Sequence, residues 1–118
     1  MKYLVLLIAD GAVKPWLDHT EEEQAAVMAQ FGAFDEACAA REGVEILAGE
    51  ALRGPDSWTT LRTRGGSLQI TDGPYAEVVE EMGGFYLMEV PDLDVLVELL
   101  GALPPYDMQL TPVADMEY

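Results

Sequence analysis

The sequence predicts an α+β fold: a ferredoxin-like domain with a mainly antiparallel sheet and two helices on one face. Three observations predict it. The elements run in the order strand, helix, strand, hairpin, strand, helix, strand. The hairpin has a glycine pair at its turn, and each helix carries one apolar stripe at helical spacing. Because 118 residues suffice for one domain and not for two of ordinary size, we expect a single domain over residues 1–118.

The first two elements are a buried strand and a capped helix. Residues 3–9 form a continuous apolar run, which favours a strand buried on both faces. Thr20 and Glu23 have the spacing of a capping box, so we expect a helix over about residues 21–41, ended by Gly43. The apolar stripe of this helix, which we interpret as core, consists of Val27, Met28, Phe31, Phe34 and Cys38.

The middle of the chain reads as strands and turns. Residues 44–48 resume as a strand, and residues 84–90 form another. Between them, polar and apolar residues alternate in residues 58–64, and Gly65 and Gly66 lead into a second strand at residues 67–71. That pattern is typical of a β-hairpin with a two-residue turn.

The last two elements are a helix and a strand. Asp92 can cap a helix over about residues 92–101, which ends at Gly101 before two prolines. We expect its buried face to consist of Leu93, Leu96, Val97 and Leu100. Residues 108–113 form the final strand.

The apolar character of two strands predicts an assembly. The strand at residues 3–9 is apolar on both alternations, and the strand at residues 84–90 nearly so. Two helices can cover only one face of the sheet, and a second copy of the sheet is the economical cover for the other. We therefore expect a homodimer through the sheet faces. A monomer would expose Leu4, Leu6, Ile8, Tyr86 and Met88, or their opposite alternation.

Charge and composition exclude several functions. With 22 acidic and 6 basic residues the net charge is −16, which disfavours direct binding to nucleic acid or to an anionic membrane. All basic residues lie within residues 1–64, so an acidic face for a basic protein partner is an alternative to a merely solvated surface. A single cysteine, Cys38, and a single histidine, His19, lead us to expect no bound metal or cofactor. The first apolar run is too short to span a bilayer and lacks a cleavage pattern, which favours a cytoplasmic protein.

One stretch of the chain resembles a known family. Residues 71–77 read Thr-Asp-Gly-Pro-Tyr-Ala-Glu, and residues 82–87 place Gly-Gly-Phe at the entry to a strand. This resembles the signature of YCII-related proteins of the DGPF subgroup, and further matches at residues 43, 47–52, 60–64 and 90–94 extend the likeness over nearly the whole chain. The resemblance implies a small bacterial protein that forms a dimeric α+β barrel, with a cleft between sheet and helices. It also implies a possible association with extracytoplasmic-function sigma factors, beside which some members are encoded.

The chain departs from the family pattern at several positions. Tyr75 replaces the usual Phe, while Val79 and Thr111 stand where a Lys and an Arg are common. The wider family includes members with a proposed His-Asp pair. Here residues 31–34 contain no His, and Leu103 stands where the Asp would be, so the activity of that pair is not transferred.

The candidate ligand-binding residues cluster around the Asp-Gly-Pro-Tyr turn. They are Asp72, Tyr75, Glu77, Arg62 and Arg64, with Asp72 and Arg62 as the candidates for catalysis. The turn can hold a carboxylate and a hydroxyl in a fixed relation, and an arginine supplies the counter-charge for an acidic ligand. The alternative interpretation is structural: Asp72 bonds its own turn amides, and the arginines pair with surface acids.

Three functions fit these observations. The first is a homodimer that binds a small molecule in a cleft or acts as a regulatory accessory protein. The second is a metal-independent small-molecule enzyme that uses Asp72 and Arg62. The third is a protein-binding partner linked to an extracytoplasmic-function sigma factor.

Overall fold

Four strands form one antiparallel sheet and two more form a separate hairpin. The computed structural model describes residues 1–9, 14, 16–75 and 81–115. The elements are β1 (Lys2–Ala9), α1 (Glu21–Ala40), β2 (Glu45–Ala51), β3 (Thr59–Arg64), β4 (Ser67–Asp72), β5 (Glu81–Glu89), α2 (Leu93–Leu100) and β6 (Asp107–Pro112). The predicted order of elements is confirmed, with shifts of up to three residues at their ends.

The four-stranded sheet has the strand order β2-β5-β1-β6, and every neighbouring pair is antiparallel. The β3–β4 hairpin is inserted between β2 and β5 and stands outside this sheet. The interleaved order, with β1 and β5 in the middle, is the ferredoxin-like arrangement that the sequence predicts.

The capping box starts α1 as expected. The backbone N–H of Glu23 donates to Thr20 Oγ1 at 3.1 Å, and the backbone N–H of Thr20 donates to Glu23 Oε1 at 2.9 Å. Both contacts satisfy N–H groups that have no partner inside the helix. Beyond the helix, Gly43 has φ +79°, a left-handed conformation that lets the chain turn back into β2.

Both helices pack on the same face of the sheet. The core side chains are Tyr3, Val5, Leu7, Phe34, Cys38, Met88, Val90, Leu96, Leu99, Leu100 and Leu103. Phe34 of α1, Leu96 of α2 and Met88 of β5 are fully buried, and each contributes roughly 1.5–3 kcal/mol by leaving water.

The buried face of α2 differs from the prediction. Leu96 and Leu100 are buried as expected, but Leu99 completes the buried set, whereas Leu93 and Val97 are exposed. Almost every residue of this helix is apolar, so spacing alone fits two stripes. Packing against α1 and the sheet selects between them.

The other face of the sheet carries a second set of apolar side chains, and neither helix reaches it. The register pairs Leu4 with Leu87 and Leu6 with Phe85, and all four are only partly buried. The expectation that Tyr86 and Met88 share this face with Leu4 and Leu6 is wrong, and so is the expectation for the opposite alternation of both strands. The antiparallel register pairs Tyr86 and Met88 with residues of the helix-covered face of β1. We call Leu4, Leu6, Phe85 and Leu87 the open face.

The β3–β4 hairpin extends away from the rest of the chain. Gly65 and Gly66 have φ +58° and +81°, as the predicted two-residue turn requires. The radius of gyration is 16.6 Å, whereas a compact chain of this length has about 13–14 Å. The molecule is broad and thin, with extents of 50 × 44 × 18 Å.

Candidate functional site

A cavity of about 620 Å³ lies between α1 and the helix-covered face of the sheet. The wall on the α1 side contains Val27, Met28 and Phe31. Trp16 and Tyr106 also line it, from the segments that precede α1 and β6. The cavity is therefore bordered mainly by apolar and aromatic side chains, as small-molecule sites commonly are.

The floor of the cavity is made by small residues on β2 and β5. Gly49 lies opposite Tyr86 in the strand register, and a Cβ at Gly49 would be 2.6 Å from Tyr86 Cδ1. A Cβ at Gly84 would be 2.8 Å from the backbone oxygen of Glu50. Side chains at these positions would therefore collide with the ring or the neighbouring strand, so glycine permits both the close packing and the open space above it.

Burial raises the pKa of two phenols that line the cavity and of a thiol in the neighbouring core. Burial raises the pKa of the Tyr86 phenol to about 12, and the charge of Asp35 adds to the shift. Burial also raises the pKa of Tyr106, and it raises the pKa of the Cys38 thiol to about 11, again with a contribution from Asp35. Near neutral pH both phenols are hydrogen-bond donors, and the Tyr86 phenol lies within the electrostatic influence of Asp35.

The charged residues that line the cavity, Asp35 and Glu50, are both acidic and exposed. Glu50 pairs with Phe85 in the strand register, so its side chain projects on the same face of the sheet as Phe85. All six lysines and arginines lie in the described residues, and none of them lines the cavity. Within the described residues, neither carboxylate forms an ion pair. The cavity therefore presents an apolar interior and a negative rim.

The residues predicted to bind ligand lie elsewhere, on the hairpin and the turn that follows it. The Arg62 guanidinium lies 4.7 Å from the centre of the Tyr75 ring and donates a hydrogen bond to the Tyr75 backbone oxygen. Arg64 is two residues further along the same face of the hairpin, where it donates to the backbone oxygen of Thr63 at 3.0 Å. The structure thus brings Arg62 and Tyr75 together.

Asp72 is on the other face of the hairpin. It pairs with Thr59, whereas Arg62 pairs with Gln69, so the strand alternation points the two side chains in opposite directions. Glu77 lies outside the described residues. A ligand site around this turn stays a prediction.

Backbone contacts tie the turn to the start of β3. The N–H of Gly73 donates to the Trp58 oxygen at 2.7 Å, and Thr60 Oγ1 donates to the Gly73 oxygen at 2.7 Å. Gly73 has φ +105°, which favours glycine at this position. Among the described residues, no hydrogen bond to the Asp72 carboxylate accompanies these contacts, so other groups hold the turn.

The family resemblance implies a cleft between sheet and helices, but sequence reasoning assigned none of the residues that line the cavity to a site. Met28 and Phe31 were expected in the core with Phe34 and Cys38, but Met28 is 58% exposed, Phe31 is partly buried, and both line the cavity. A usable signal was present: glycines occur near the ends of two strands, at Gly49 and at residues 83–84. If β2 and β5 had been recognised as neighbouring strands, the glycines would have predicted a depression in the sheet.

Neither a metal-binding cluster nor a membrane-spanning helix occurs in the described part of the chain. No group of three or more His, Cys, Asp or Glu side chains is arranged there to hold a metal ion. No helix in the same residues combines the length and the apolar character needed to cross a membrane.

Comparison with known proteins gives one positive result. No curated protein gave a significant match. The sequence pattern of the YCII-related domain matches residues 1–116, which is nearly the whole chain, and the α+β fold agrees with it. The chain belongs to the YCII-related domain family.

Proposed function

We propose that the protein binds a small organic molecule with an aromatic body and a cationic end in the cavity between α1 and the sheet. The observation that carries this proposal is the combination of an aromatic-lined space with charged lining residues, Asp35 and Glu50, that are both acidic.

The size and lining of the cavity suit a compact ligand. A volume of about 620 Å³ lies within the usual range for small-molecule sites, roughly 300–1,000 Å³. Trp16, Phe31 and Tyr86 offer aromatic surface to an apolar body. Aromatic faces also attract ammonium groups, by about 0.5–2 kcal/mol for each contact.

The charge of the site selects against anions. A ligand carboxylate or phosphate would meet the Asp35 carboxylate with no basic side chain lining the cavity to compensate. The net charge of −16 raises the local concentration of cations around the whole molecule. An amine at the rim can pair with Asp35. Because the rim is exposed, the amine keeps part of its hydration, and its desolvation costs much less than that of a buried charge.

We further propose that the ligand-binding form is a homodimer joined through the open face. Leu4, Leu6, Phe85 and Leu87 form an apolar patch on the face of the sheet that the helices leave uncovered, and Phe85 also borders the cavity at the edge of this patch. Covering this patch with its copy on a second chain removes apolar surface from water.

A set of three matched indole compounds tests the ligand class. Tryptamine, tryptophol and indolepropionate share one ring and differ in carrying a cationic, neutral or anionic end. We expect tryptamine to bind at least about tenfold more tightly than indolepropionate, measured by calorimetry at low salt, which corresponds to about 1.4 kcal/mol. Asp35→Asn should remove most of that preference. Glu36→Gln, which removes an equal charge one residue along α1 and outside the cavity, should preserve it.

The same measurements separate this proposal from its rivals. Equal or tighter binding of indolepropionate would contradict the proposed ligand class. If Asp72→Asn or Arg62→Gln abolishes binding and Asp35→Asn does not, the ligand occupies the turn that the sequence predicts. The enzyme that uses Asp72 and Arg62 would then become the better proposal.

A further inference from the structure

We infer that the β3–β4 hairpin is an arm that docks on a second copy of this chain. The inference rests on the homodimer in the proposed function and goes beyond it, since sheet-to-sheet contact does not require the arm. It follows from the hairpin's isolation, its apolar face and its charge.

The arm has little support from its own chain. Its two strands pair only with each other, and an isolated two-stranded ribbon is at best marginally stable in water. Every side chain of β4 is exposed, and in β3 only Thr60 is buried. A ribbon with this exposure needs a further surface to hold it.

One face of the arm is apolar. The register places Leu61 opposite Ile70, with Leu68 two residues along on the same face. These side chains are 59%, 68% and 62% exposed. Three adjacent aliphatic side chains on the exposed strands of a free ribbon invite association, and soluble proteins normally cover such a surface.

The charge of the arm is opposite to that of the rest of the chain. Residues 52–75 carry three arginines and two aspartates, a net charge of +1, whereas the remaining residues carry three bases and twenty acids, a net charge of −17. The two strands of the arm form a separate sheet, and the radius of gyration of the chain exceeds that of a compact chain of this length. A second copy offers the complementary negative surface at the place where the arm projects.

The second copy is also the occupant that best fits both faces of the arm. A nucleic acid would meet the arginines but would be repelled by the acidic remainder of the chain. A basic protein would be drawn to that acidic remainder and would be repelled by Arg62 and Arg64. A two-fold dimer lets each copy supply both the arm and the surface that receives it.

Two uncharged double variants test the arm. Leu68→Ser with Ile70→Ser removes the apolar contact. Gln69→Ser with Thr71→Ser introduces the same two serines on the opposite face of the same strand, where no apolar contact is lost. We expect the first variant to raise the dimer dissociation constant by at least about 100-fold in sedimentation experiments, since each dimer would lose two such contacts. The second variant should keep the dimer dissociation constant within about threefold of the wild-type value, because surface substitutions usually change free energies by no more than about 0.5 kcal/mol. Because Leu68 and Ile70 lie outside the core, both variants should retain the native circular dichroism spectrum.

Hydrogen exchange supplies a second measurement. In the unchanged protein, the amides of β3 and β4 should become protected as the protein concentration rises through the dimer dissociation constant. In the Leu68→Ser, Ile70→Ser variant that gain should be lost, while the amides of β1 stay protected.

Three results would overturn the inference. An unchanged dissociation constant with unprotected arm amides would leave the arm in solvent, with the sheet-to-sheet dimer unaffected. Arm amides protected equally far below the dissociation constant would mean that the arm folds back on its own chain. A protein that stays monomeric at every concentration would refute the arm and the dimer together, and binding of tryptamine would then be judged separately.

Discussion

The ring of Tyr86 lies directly over the backbone of Gly49, so that a Cβ at Gly49 would be 2.6 Å from Cδ1 of the ring. The two residues are register partners on β2 and β5, on the face that the cavity shares with α1. The ring also packs against Phe34, with 5.1 Å between the ring centres. One glycine thus lets an aromatic side chain lie low on the sheet and keeps the space beneath α1 open.

Gly49→Ala should force the Tyr86 ring upward, towards the cavity. We expect a loss of about 1–3 kcal/mol in the free energy of unfolding, as overpacking usually costs, together with weaker binding of tryptamine. Gly54→Ala is the matched control, since Gly54 has φ −63° and nothing lies within 4 Å of its Cβ position. Urea denaturation of both variants measures the difference. Equal stability of the two would show that the ring can move without strain.

Glu23→Gln should lower the melting temperature near neutral pH but not in strong acid. The Thr20 backbone N–H, and secondarily Lys14, lower the pKa of the Glu23 carboxyl from 4.5 to about 2. Its contribution to stability is therefore complete above about pH 4.5 and is lost as the pH falls towards 2. Thermal melts of both proteins over this interval check the prediction. A gap that persists unchanged at about pH 2 would contradict the assigned cause.

Leu6→Glu should dissociate the proposed dimer. A carboxylate in the middle of the open face would lose its water on assembly, at a cost of several kcal/mol. Leu93→Glu introduces the same charge at an exposed position on α2 and should leave the dimer intact. Sedimentation velocity at micromolar concentration distinguishes monomer from dimer. Retention of the dimer by Leu6→Glu would place the interface somewhere other than the open face.

Cys38 should react slowly with thiol reagents while the protein is folded. Its side chain is 2% exposed, and burial raises the pKa of the thiol from 9.0 to about 11. The thiolate fraction near pH 8 therefore falls about 100-fold, and access falls further. Absorbance after addition of an aromatic disulfide reagent measures the rate, with urea-unfolded protein as the control. Equal rates in the two states would mean that α1 opens readily.

The elements of the fold were predictable because local chemistry specifies them. Thr20 and Glu23 define the start of α1 by themselves, and two adjacent glycines define the hairpin turn. The apolar faces were harder to assign. Which side chains of β5 share a face with Leu4 and Leu6 depends on the register between two strands that are distant in sequence.

The candidate site was less predictable for a similar reason. Tyr86, Asp35 and Tyr106 come from three separate elements or loops, and their proximity exists only after β5 has paired with β2 and α1 has packed above them. A stripe of apolar residues on α1 says which side faces inward. It does not say that the half nearer the N-terminus, with Met28 and Phe31, stands over a gap and not over a packed layer.

The central position of β1 has a consequence for how the chain folds. This strand pairs on one side with β5 and on the other with β6, both of which follow it by most of the length of the chain. Such distant pairings require large loops to close, and the entropy cost of closure comes before the hydrogen bonds that offset it. The sheet should therefore assemble slowly, on a timescale of about milliseconds to seconds. The hairpin and α1, whose contacts are local, can form and open again within about microseconds, long before the sheet is complete. During that interval β1 is an unpaired apolar strand, which makes the first moments of folding the time at which this acidic chain is most exposed to aggregation.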